Sequence, residues 1–239
     1  MEMYMVFCRG VIVKWIKINL FGIVYIKVLL RSNIGGAVLT DHVLEFFFDC
    51  SSPWTFLAFE QIQKSCEEIS VDICWRPILV GGVFNAVNPS VYEGRANPVP
   101  VKSKYYGKDL RDWSEYVGIT IGQPAVFPVN SVKAMRGAFV AMDEGIVVAY
   151  AREIFTSYWT NLRDISLDEV LREIVMHLGM DPDSYFKKIS SQNYKDKLRY
   201  NTEELIERGG FGSPTMFVDE TDMYFGNDRI PLVIQSLSR

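Results

Sequence analysis

The sequence has few of the residues on which metal and redox centres depend. It contains two histidines, His42 and His177, in 239 residues, which is too few for a multi-histidine metal site. Its four cysteines include no Cys-x-x-Cys pair, so neither a zinc knuckle nor a dithiol redox centre is expected. Low cysteine usage is typical of proteins in a reducing compartment and predicts a cytoplasmic protein that holds no metal.

Positive charge is not in excess either. The 25 Lys and Arg residues are outnumbered by 29 Asp and Glu residues, which gives a formal net charge of −4. That balance provides no basic surface for a non-specific nucleic-acid binder. Hydrophobic residues make up 49% of the chain and charged residues 23%, which is ordinary globular usage. A chain of this length forms one or two domains with a sizeable core.

The N-terminus contains an apolar run at residues 11–30 that is interrupted by Lys14, Lys17 and Lys27. Twenty residues suffice to span a bilayer, but a lysine near the centre of a span costs about 2.5–3.5 kcal/mol. The run also lacks the uninterrupted apolar core and the cleavage site of a signal peptide. We interpret residues 1–42 as an apolar leader, disordered or non-native, that does not contact a membrane. A true span or signal is the alternative.

A β-α-β unit opens the rest of the chain. The short apolar run at residues 44–49 predicts a buried strand. A helix begins at Pro53, which suits a first helical position, and Ser52 falls at its N-cap. Residues 71–75 are β-branched and alternate in polarity, which predicts a second strand. Because a helix connects the two strands, they are expected to pair in parallel.

The middle of the chain changes character twice. Residues 78–102 are rich in Gly, Pro and Asn, which predicts a long loop of the kind that carries function. The pattern of residues 104–208 is helical. Within it, Ser166–Glu169 has the form of a capping box, Asp181 precedes a proline that opens the next helix, and Gly209 follows the last helix.

The C-terminal part returns to strands. Residues 215–218 and 223–225 are predicted to form two short strands joined as a hairpin. Residues 228–237 then predict a terminal helix. The order is therefore β-α-β, a helical insertion and β-β-α, which indicates an α/β fold.

Six short stretches in this order resemble a known family. They are FDCSSPWTFLA at 48–58, RPILVGG at 76–82, KDLRDW at 108–113, FPVNS at 127–131, GSPT at 212–215 and FGNDR at 225–229. Together they resemble the 2-hydroxychromene-2-carboxylate isomerases and the related kappa-class glutathione transferases. The resemblance implies a DsbA-like thioredoxin fold, with residues 43–80 and 209–239 forming the thioredoxin-like domain. Residues 81–208 would then be a loop and helical insertion domain.

The resemblance places the catalytic group at Ser52. In dithiol members of this fold the first helix opens with Cys-x-x-Cys, whereas this chain has Ser52-Pro-Trp-Thr55, so it cannot exchange a disulfide there. Cys50 lies two residues too early and is interpreted as a small buried residue. By resemblance, the Ser52 hydroxyl stabilises the thiolate of bound glutathione. On local sequence alone, Ser52 is equally interpretable as an N-cap with no further role.

A serine hydroxyl at a helix N-terminus can lower the pKa of a bound thiol enough to ionise it, without a histidine base. A free thiol has a pKa of about 8.5, and lowering it by about two units requires about 2.7 kcal/mol. A hydrogen bond to a charged group contributes about 1.5–3 kcal/mol. The N-terminus of a helix adds about 0.3–1 kcal/mol.

The resemblance also implies residues that hold glutathione. Pro214 would form a cis peptide bond with Ser213, whose backbone would pair with the cysteinyl part of the tripeptide. Asn227 and Asp228 precede the last helix, and they suit the ammonium and carboxylate of the γ-glutamyl group. The alternatives are an ordinary turn proline and simple helix capping.

A further set of residues would lie over the site. Asn88 resembles the family's glycine-asparagine segment, although the spacing differs by one residue, so that Asn85 or Asn97 are alternatives for a glutathione contact. Tyr105 would contact glutathione, and Lys104 beside it would face the substrate; a solvated basic turn is the alternative.

Pro53 and Trp54 would line the substrate pocket beside the serine. Outside the site, Arg76 and Arg136 are interpreted as partners in structural ion pairs. His177 is interpreted as a residue that closes a helix, where a cation is favourable.

The implied reaction converts 2-hydroxychromene-2-carboxylate to trans-o-hydroxybenzylidenepyruvate, a step in the catabolism of aromatic hydrocarbons. In it, a glutathione thiolate adds to an enone, the former double bond rotates, and expulsion of the thiolate leaves the trans isomer. Glutathione is thus a cofactor, and the partner is a small aromatic substrate. A kappa-like glutathione transferase and a non-catalytic DsbA-like binding module are the alternatives. Because relatives are often dimers, a homodimer is a possible assembly.

Overall fold

The structure is a computed structural model that describes residues 42–239 throughout. In the predicted leader it describes the backbone of three strands, β1 (Glu2–Cys8), β2 (Val11–Asn19) and β3 (Ile23–Arg31), which pair antiparallel in that order. The other positions of the predicted leader lie outside the described residues. Among the residues that are described, no helix is both long and apolar enough to cross a bilayer.

A second sheet has four strands in the order β5-β4-β6-β7. They are β4 (Leu44–Phe48), β5 (Ile73–Pro77), β6 (Thr215–Val218) and β7 (Asp222–Phe225). Strands β4 and β5 are parallel, whereas β4 pairs antiparallel with β6, and β6 with β7. Helix α1 (Pro53–Glu68) is the crossover between the parallel strands. The predicted β-α-β unit and the C-terminal hairpin are therefore confirmed.

The predicted loop at residues 78–102 is wrong, because three helices occupy or enter it. They are α2 (Val80–Val87), α3 (Ser90–Ala96) and α4 (Pro100–Val117). The N–H of Val80 donates to the Asp49 carboxylate at 2.8 Å, so a side chain from a distant loop satisfies the first turn of α2. Proline at the start of α4 favours a helix there, since its missing N–H costs nothing in the first turn.

The helical insertion is confirmed. After α4 it contains α5 (Val132–Asp143), α6 (Val147–Phe155) continued by a π-helical turn (Thr156–Thr160), α7 (Asp168–His177), α8 (Pro182–Ser190) and α9 (Gln192–Glu207). After β7, a 3₁₀ turn (Asn227–Arg229) leads into α10 (Ile230–Leu237).

The helix caps agree with the sequence at α8 and differ at α7. Asp181 caps α8 by accepting the N–H of Ser184 at 2.8 Å, as predicted. The predicted capping box at Ser166 is wrong. The N–H and the hydroxyl of Ser166 both donate to Asp164, at 2.8 and 2.6 Å, so that Leu167 is the N-cap of α7. His177 lies in the last turn of α7.

Strand β4 is buried on both faces, which places the two hydrophobic clusters. Phe46 and Phe48 point into the larger cluster, which joins the sheet to α1 and to the insertion. Phe47 points the other way, into a smaller cluster with Phe217 and Leu205 of α9. Because β4 is held from both sides, the loop that leaves its C-terminal end is fixed in position.

An ion-pair network connects strands β4 and β5 with helix α9. Arg76, only 3% exposed, lies 3.8 Å from Glu45 and hydrogen-bonds to Glu204, which confirms its predicted ion pair. The ion pair predicted for Arg136 is wrong, since it pairs with no carboxylate of the described residues. Its Nε is buried without a hydrogen-bond partner, and burial lowers the pKa of this guanidinium.

Candidate functional site

A cleft opens at the C-terminal end of β4, at the start of α1. Its volume is about 490 Å³, within the range of about 300–1,000 Å³ that is typical of small-molecule sites. The walls come from the loop after β4, from helices α2 to α4, from residues 127–132 and from residues 211–213. Most of the lining is apolar, and its polar groups come from several walls, including the start of α1, helices α2 to α4 and the segment that carries Ser213.

Ser52 lies at the N-terminus of α1 with its side chain in the cleft wall. Its Oγ accepts the N–H of Thr55 at 3.2 Å and donates to the backbone oxygen of Ser213 at 3.1 Å. The hydroxyl is therefore an N-cap, and it also has a proton that can be turned towards another acceptor. The N–H of Trp54, at the second helical position, has no acceptor within the helix.

The segment opposite Ser52 contains a cis peptide bond between Ser213 and Pro214, as predicted. The Ser213 Oγ accepts the N–H of Asp49 at 3.0 Å and shares a hydrogen bond of 2.8 Å with the hydroxyl of Thr55. These bonds fix the segment against the start of α1. Ser213 and Pro53 line the cleft, whereas Pro214 does not.

Asp49 is a site residue that the sequence analysis missed. Its fully buried carboxylate accepts the N–H groups of Ser51 and Val80 at 2.9 and 2.8 Å and the hydroxyl of Ser131 at 3.1 Å. Burial raises the pKa of Asp49, although these hydrogen bonds act to lower it. Its position between a buried strand and a helix start was the available signal. Asp49 connects three walls of the cleft.

Trp54 and Tyr106 form one side of the cleft mouth. The indole N–H of Trp54 donates to the Tyr106 hydroxyl at 3.2 Å, and the two rings meet edge to face at 5.4 Å. Partial burial raises the pKa of Tyr106, while the bond from Trp54 and the charge of Arg95 act to lower it. The neighbouring Tyr105, predicted as a site residue, is 64% exposed and does not line the cleft.

Lys104, predicted as a pocket residue, is exposed and also lies outside the cleft lining. Of the three candidate asparagines, Asn88 and Asn85 line the cleft and Asn97 does not. The Asn88 amide donates to the backbone oxygen of Phe211 at 3.2 Å. Asn88 thus joins the α2–α3 turn to the segment that carries the cis proline.

Asn227 and Asp228 lie in the 3₁₀ turn, which packs against α1 but does not line the cleft. Asn227 is 4% exposed, and its Nδ2 has no hydrogen-bond partner in the described part of the chain. Asp228 is half exposed and pairs with the adjacent Arg229 at 2.6 Å.

Cys50 is a buried residue, as predicted, with 1% of its surface exposed. Its backbone oxygen accepts the indole N–H of Trp159 at 2.9 Å. Burial, followed by the neighbouring charge of Asp49, raises the pKa of the Cys50 thiol well above its ordinary value. The thiol is therefore a poor nucleophile.

A family model for the DSBA-like thioredoxin domain matches residues 43–238. The chain is similar to a 2-hydroxychromene-2-carboxylate isomerase of Pseudomonas putida, with 28% identity over 203 residues, 82% of this chain and 95% of the relative. It is also similar to glutathione S-transferase kappa 2 of Caenorhabditis elegans, with 28% identity over 214 residues, 82% of this chain and 92% of the relative.

The fold is similar to that of a solved 2-hydroxychromene-2-carboxylate isomerase. The two structures superpose with a TM-score of 0.70 at 26% identity, over 82% of this chain and 95% of the other. The thioredoxin-like fold with a helical insertion is therefore shown by sequence and by structure.

Proposed function

Because this chain belongs to the DSBA-like thioredoxin domain family, we propose that it is a glutathione-dependent enzyme. Its reaction is the interconversion of 2-hydroxychromene-2-carboxylate and trans-o-hydroxybenzylidenepyruvate. The observation that carries this proposal is the Ser52 hydroxyl at the N-terminus of α1, in the wall of a cleft of small-molecule size. The similar isomerases and the similar kappa transferase support it.

The donors around the cleft fit a tripeptide with two carboxylates and a thiol. Ser52 provides a hydroxyl proton. Outside the cleft lining, Asn227 has a buried amide nitrogen with no hydrogen-bond partner among the described residues, and on the family resemblance it is assigned to the γ-glutamyl carboxylate. The backbone of Ser213 beside the cis proline suits the cysteinyl part. We assign Pro214, Asp228, Asn88 and Tyr105 to glutathione binding on the family resemblance; of these four residues, Asn88 lines the cleft.

When bound, glutathione would supply a nucleophilic thiolate for the enone that is exposed when the hemiketal of the substrate opens. Ser52 provides the stabilisation. Its hydroxyl turns from the Ser213 oxygen, which it contacts at 3.1 Å, and donates to the sulfur. A hydrogen bond to a charged acceptor is stronger than one to a neutral carbonyl, so the exchange favours the ionised thiol.

Other residues orient the reactants and exclude water. Pro53 and Trp54 line the cleft next to Ser52, and Trp54 is held by its hydrogen bond to Tyr106. A flat aromatic substrate fits against these rings. Lys104 is kept as a substrate-facing residue on the family resemblance alone, since its exposed side chain lies outside the cleft lining.

A transferase is the second candidate, and the similarity to glutathione S-transferase kappa 2 favours it. The same thiolate would attack an electrophile and remain attached. The two functions require the same Ser52 and differ in whether the product retains glutathione. A cytoplasmic location and a homodimer belong to the same proposal.

The test is turnover by the purified protein. We expect interconversion of the two isomers only with glutathione, and a drop of about 10- to 100-fold in kcat/KM for Ser52→Ala, because one hydrogen bond to a charged group is lost. Equal rates without glutathione would contradict the proposal. Accumulation of a stable conjugate with 1-chloro-2,4-dinitrobenzene, without isomerisation, would favour the transferase.

A control is needed because Ser52→Ala also removes an N-cap, at about 1 kcal/mol of stability. Asp181→Ala removes the N-cap of α8, a helix whose residues do not line the cleft. We expect both variants to lose similar stability in urea denaturation, with activity lost only at Ser52. A comparable loss of activity in Asp181→Ala would assign the effect to folding.

A further inference from the structure

The described residues that line the cleft include one basic side chain, Arg95 of α3. No motif in the family resemblance contains it. Its guanidinium carbon lies 5.6 Å from the ring centre of Phe84 and 5.2 Å from that of Phe127, and both rings line the cleft. Arg95 is therefore held by cation–π contacts rather than by a carboxylate.

The surroundings orient Arg95 further. Phe84 meets the ring of Tyr92 edge to face at 6.3 Å, and the Tyr92 hydroxyl donates to Asn85 at 2.8 Å. The ring that carries the guanidinium is thus positioned by α2 and α3 together. A guanidinium that lies over aromatic rings keeps its N–H donors for a planar anion.

The positive charge of Arg95 is not compensated by a carboxylate of the described cleft lining. The acidic side chain in the described lining is Asp49, which is buried and whose carboxylate is already bonded to two N–H groups and a hydroxyl. Arg95 also acts electrostatically on Tyr106, the tyrosine that is hydrogen-bonded to Trp54. The cation therefore belongs to the same mouth as the aromatic wall beside Ser52.

We propose that Arg95 is a specificity-determining residue of this cleft, which binds the carboxylate of the aromatic substrate. The reaction of the bound acid rests on the proposed function, whereas the binding of its carboxylate by Arg95 does not. A carboxylate is also present at the glycyl end of glutathione, so the same guanidinium chemistry has two sources. The aromatic lining around Arg95 favours the aromatic acid.

The experiment measures binding without turnover and without glutathione. The full chain is titrated by calorimetry with trans-cinnamate and with its neutral analogue cinnamamide. We expect cinnamate to bind about 10- to 100-fold more tightly, since a hydrogen-bonded charge is gained. Arg95→Met should abolish that preference and Arg95→Lys should restore part of it. Arg111→Met, at an exposed arginine of α4 outside the cleft lining, should leave it unchanged.

The outcomes separate the two proposals. Equal binding of cinnamate and cinnamamide by the unaltered protein, no cinnamate binding, or an unchanged preference in Arg95→Met would each overturn the role of Arg95. A separate titration with glutathione should give the same Kd for the unaltered protein and for Arg95→Met. A raised Kd for glutathione with an intact cinnamate preference would assign Arg95 to the glycyl end instead. Failure of glutathione to bind at all overturns the proposed function, while the cinnamate preference still decides the role of Arg95.

Discussion

At the scale of single residues, Asp49 and Ser52 act on the same loop in different ways. Asp49 anchors the loop, because its carboxylate bonds to the N–H of Val80 and to the hydroxyl of Ser131 from two other walls of the cleft. Ser52 is the group that the loop presents to the cleft. A change at Asp49 is therefore expected to alter stability, and one at Ser52 to alter chemistry.

Burial at Asp49 predicts a pH dependence of stability. Burial raises the folded-state pKa of Asp49 above its usual value of 3.8, so between the two values the folded state binds more protons than the unfolded state. Stability from this group is then fully present below the unfolded pKa and is lost as the pH rises through the folded pKa. The free energy of unfolding of the protein, minus that of Asp49→Asn, should rise as the pH falls from 7 towards the usual value.

Urea denaturation of both proteins across that pH range measures the difference. Other titrating groups are shared by the two proteins and largely cancel. A difference that grows with rising pH would mean that hydrogen bonds to the carboxylate outweigh burial.

Some site residues were predictable because their signals are local. Ser52 and Pro53 mark a helix start four to five residues after the buried strand that ends at Phe48, and the structure has the helix there. Tyr106, rather than Tyr105, reaches the cleft because the rotation of α4 is set by its packing on α1, which a sequence pattern of exposed tyrosines does not encode. Asp49 was missed for a similar reason, since the partners of its carboxylate lie up to 82 residues away and its N–H donates to Ser213, 164 residues away.

At the scale of secondary-structure elements, α9 is fastened to the sheet by buried charges. Arg76 of β5 is 3% exposed and bonds to Glu204 of α9, which also pairs with Arg208 at 3.1 Å. Removing Glu204 leaves Arg76 with Glu45 at 3.8 Å as its remaining partner. An uncompensated buried charge costs about 3–5 kcal/mol.

Glu204→Ala is therefore expected to lower the free energy of unfolding by about 3 kcal/mol. The adjacent Glu203→Ala is the matched control, since Glu203 is 61% exposed and 3.9 Å from the exposed Arg199. An exposed pair contributes about 0–1 kcal/mol. Urea denaturation measures the free energy of unfolding of both variants. Equal losses would mean that the ion pairs of Glu204 contribute no more to stability than an exposed pair does.

At two glycines in helices, substitution by alanine is expected to change the stability of the protein in opposite directions. A Cβ at Gly137 of α5 would overlap the hydroxyls of Tyr150 and Tyr185, which bond to each other at 2.7 Å in the core. A Cβ at Gly107 of α4 would meet nothing within 4 Å. Gly137→Ala should destabilise the protein by about 1–3 kcal/mol, and Gly107→Ala should stabilise it by up to about 1 kcal/mol. Thermal unfolding of both variants gives the signs, and stabilisation by both would refute the close packing at Gly137.

The start of a helix could be predicted from the sequence where a neighbouring residue caps that helix. Asp181 caps α8 by itself, whereas the glycine-rich start of α2 depends on the distant Asp49 carboxylate. The composition of residues 78–102 therefore predicted a loop, because composition does not encode a cap that arrives from another element. Ser166 failed as a capping residue because Asp164, two positions earlier, competes for its hydroxyl.

At the scale of the whole molecule, we propose that the folded unit that carries the cleft begins near residue 42. His42 contacts the Asp219 carboxylate at 2.8 Å. The N–H of Val43 donates to that carboxylate at 3.0 Å, and the N–H of Asp219 donates to the backbone oxygen of Val43 at 2.9 Å, which fastens the chain to the β6–β7 turn. The family match begins at residue 43. The order of strands and the helical insertion were predictable because each is a long-range pattern of hydrophobic periodicity.

A chain that begins at Asp41 should therefore remain folded and bind glutathione with an unchanged Kd. Calorimetry and thermal unfolding on the shortened and the full chain make the comparison. An insoluble shortened chain, or one that no longer binds glutathione, would show that residues 1–40 belong to the functional unit.

The central claim is that the Ser52 hydroxyl holds the sulfur of bound glutathione in its ionised form, and its most direct test is the thiol pKa in the complex. Ultraviolet absorbance of the thiolate is followed against pH for the protein and for Ser52→Ala, both saturated with glutathione. We expect a pKa about two units below the free value of about 8.5 in the protein, and a return by about one unit or more in Ser52→Ala. A pKa that equals that of free glutathione, or that is the same in both proteins, would contradict the account.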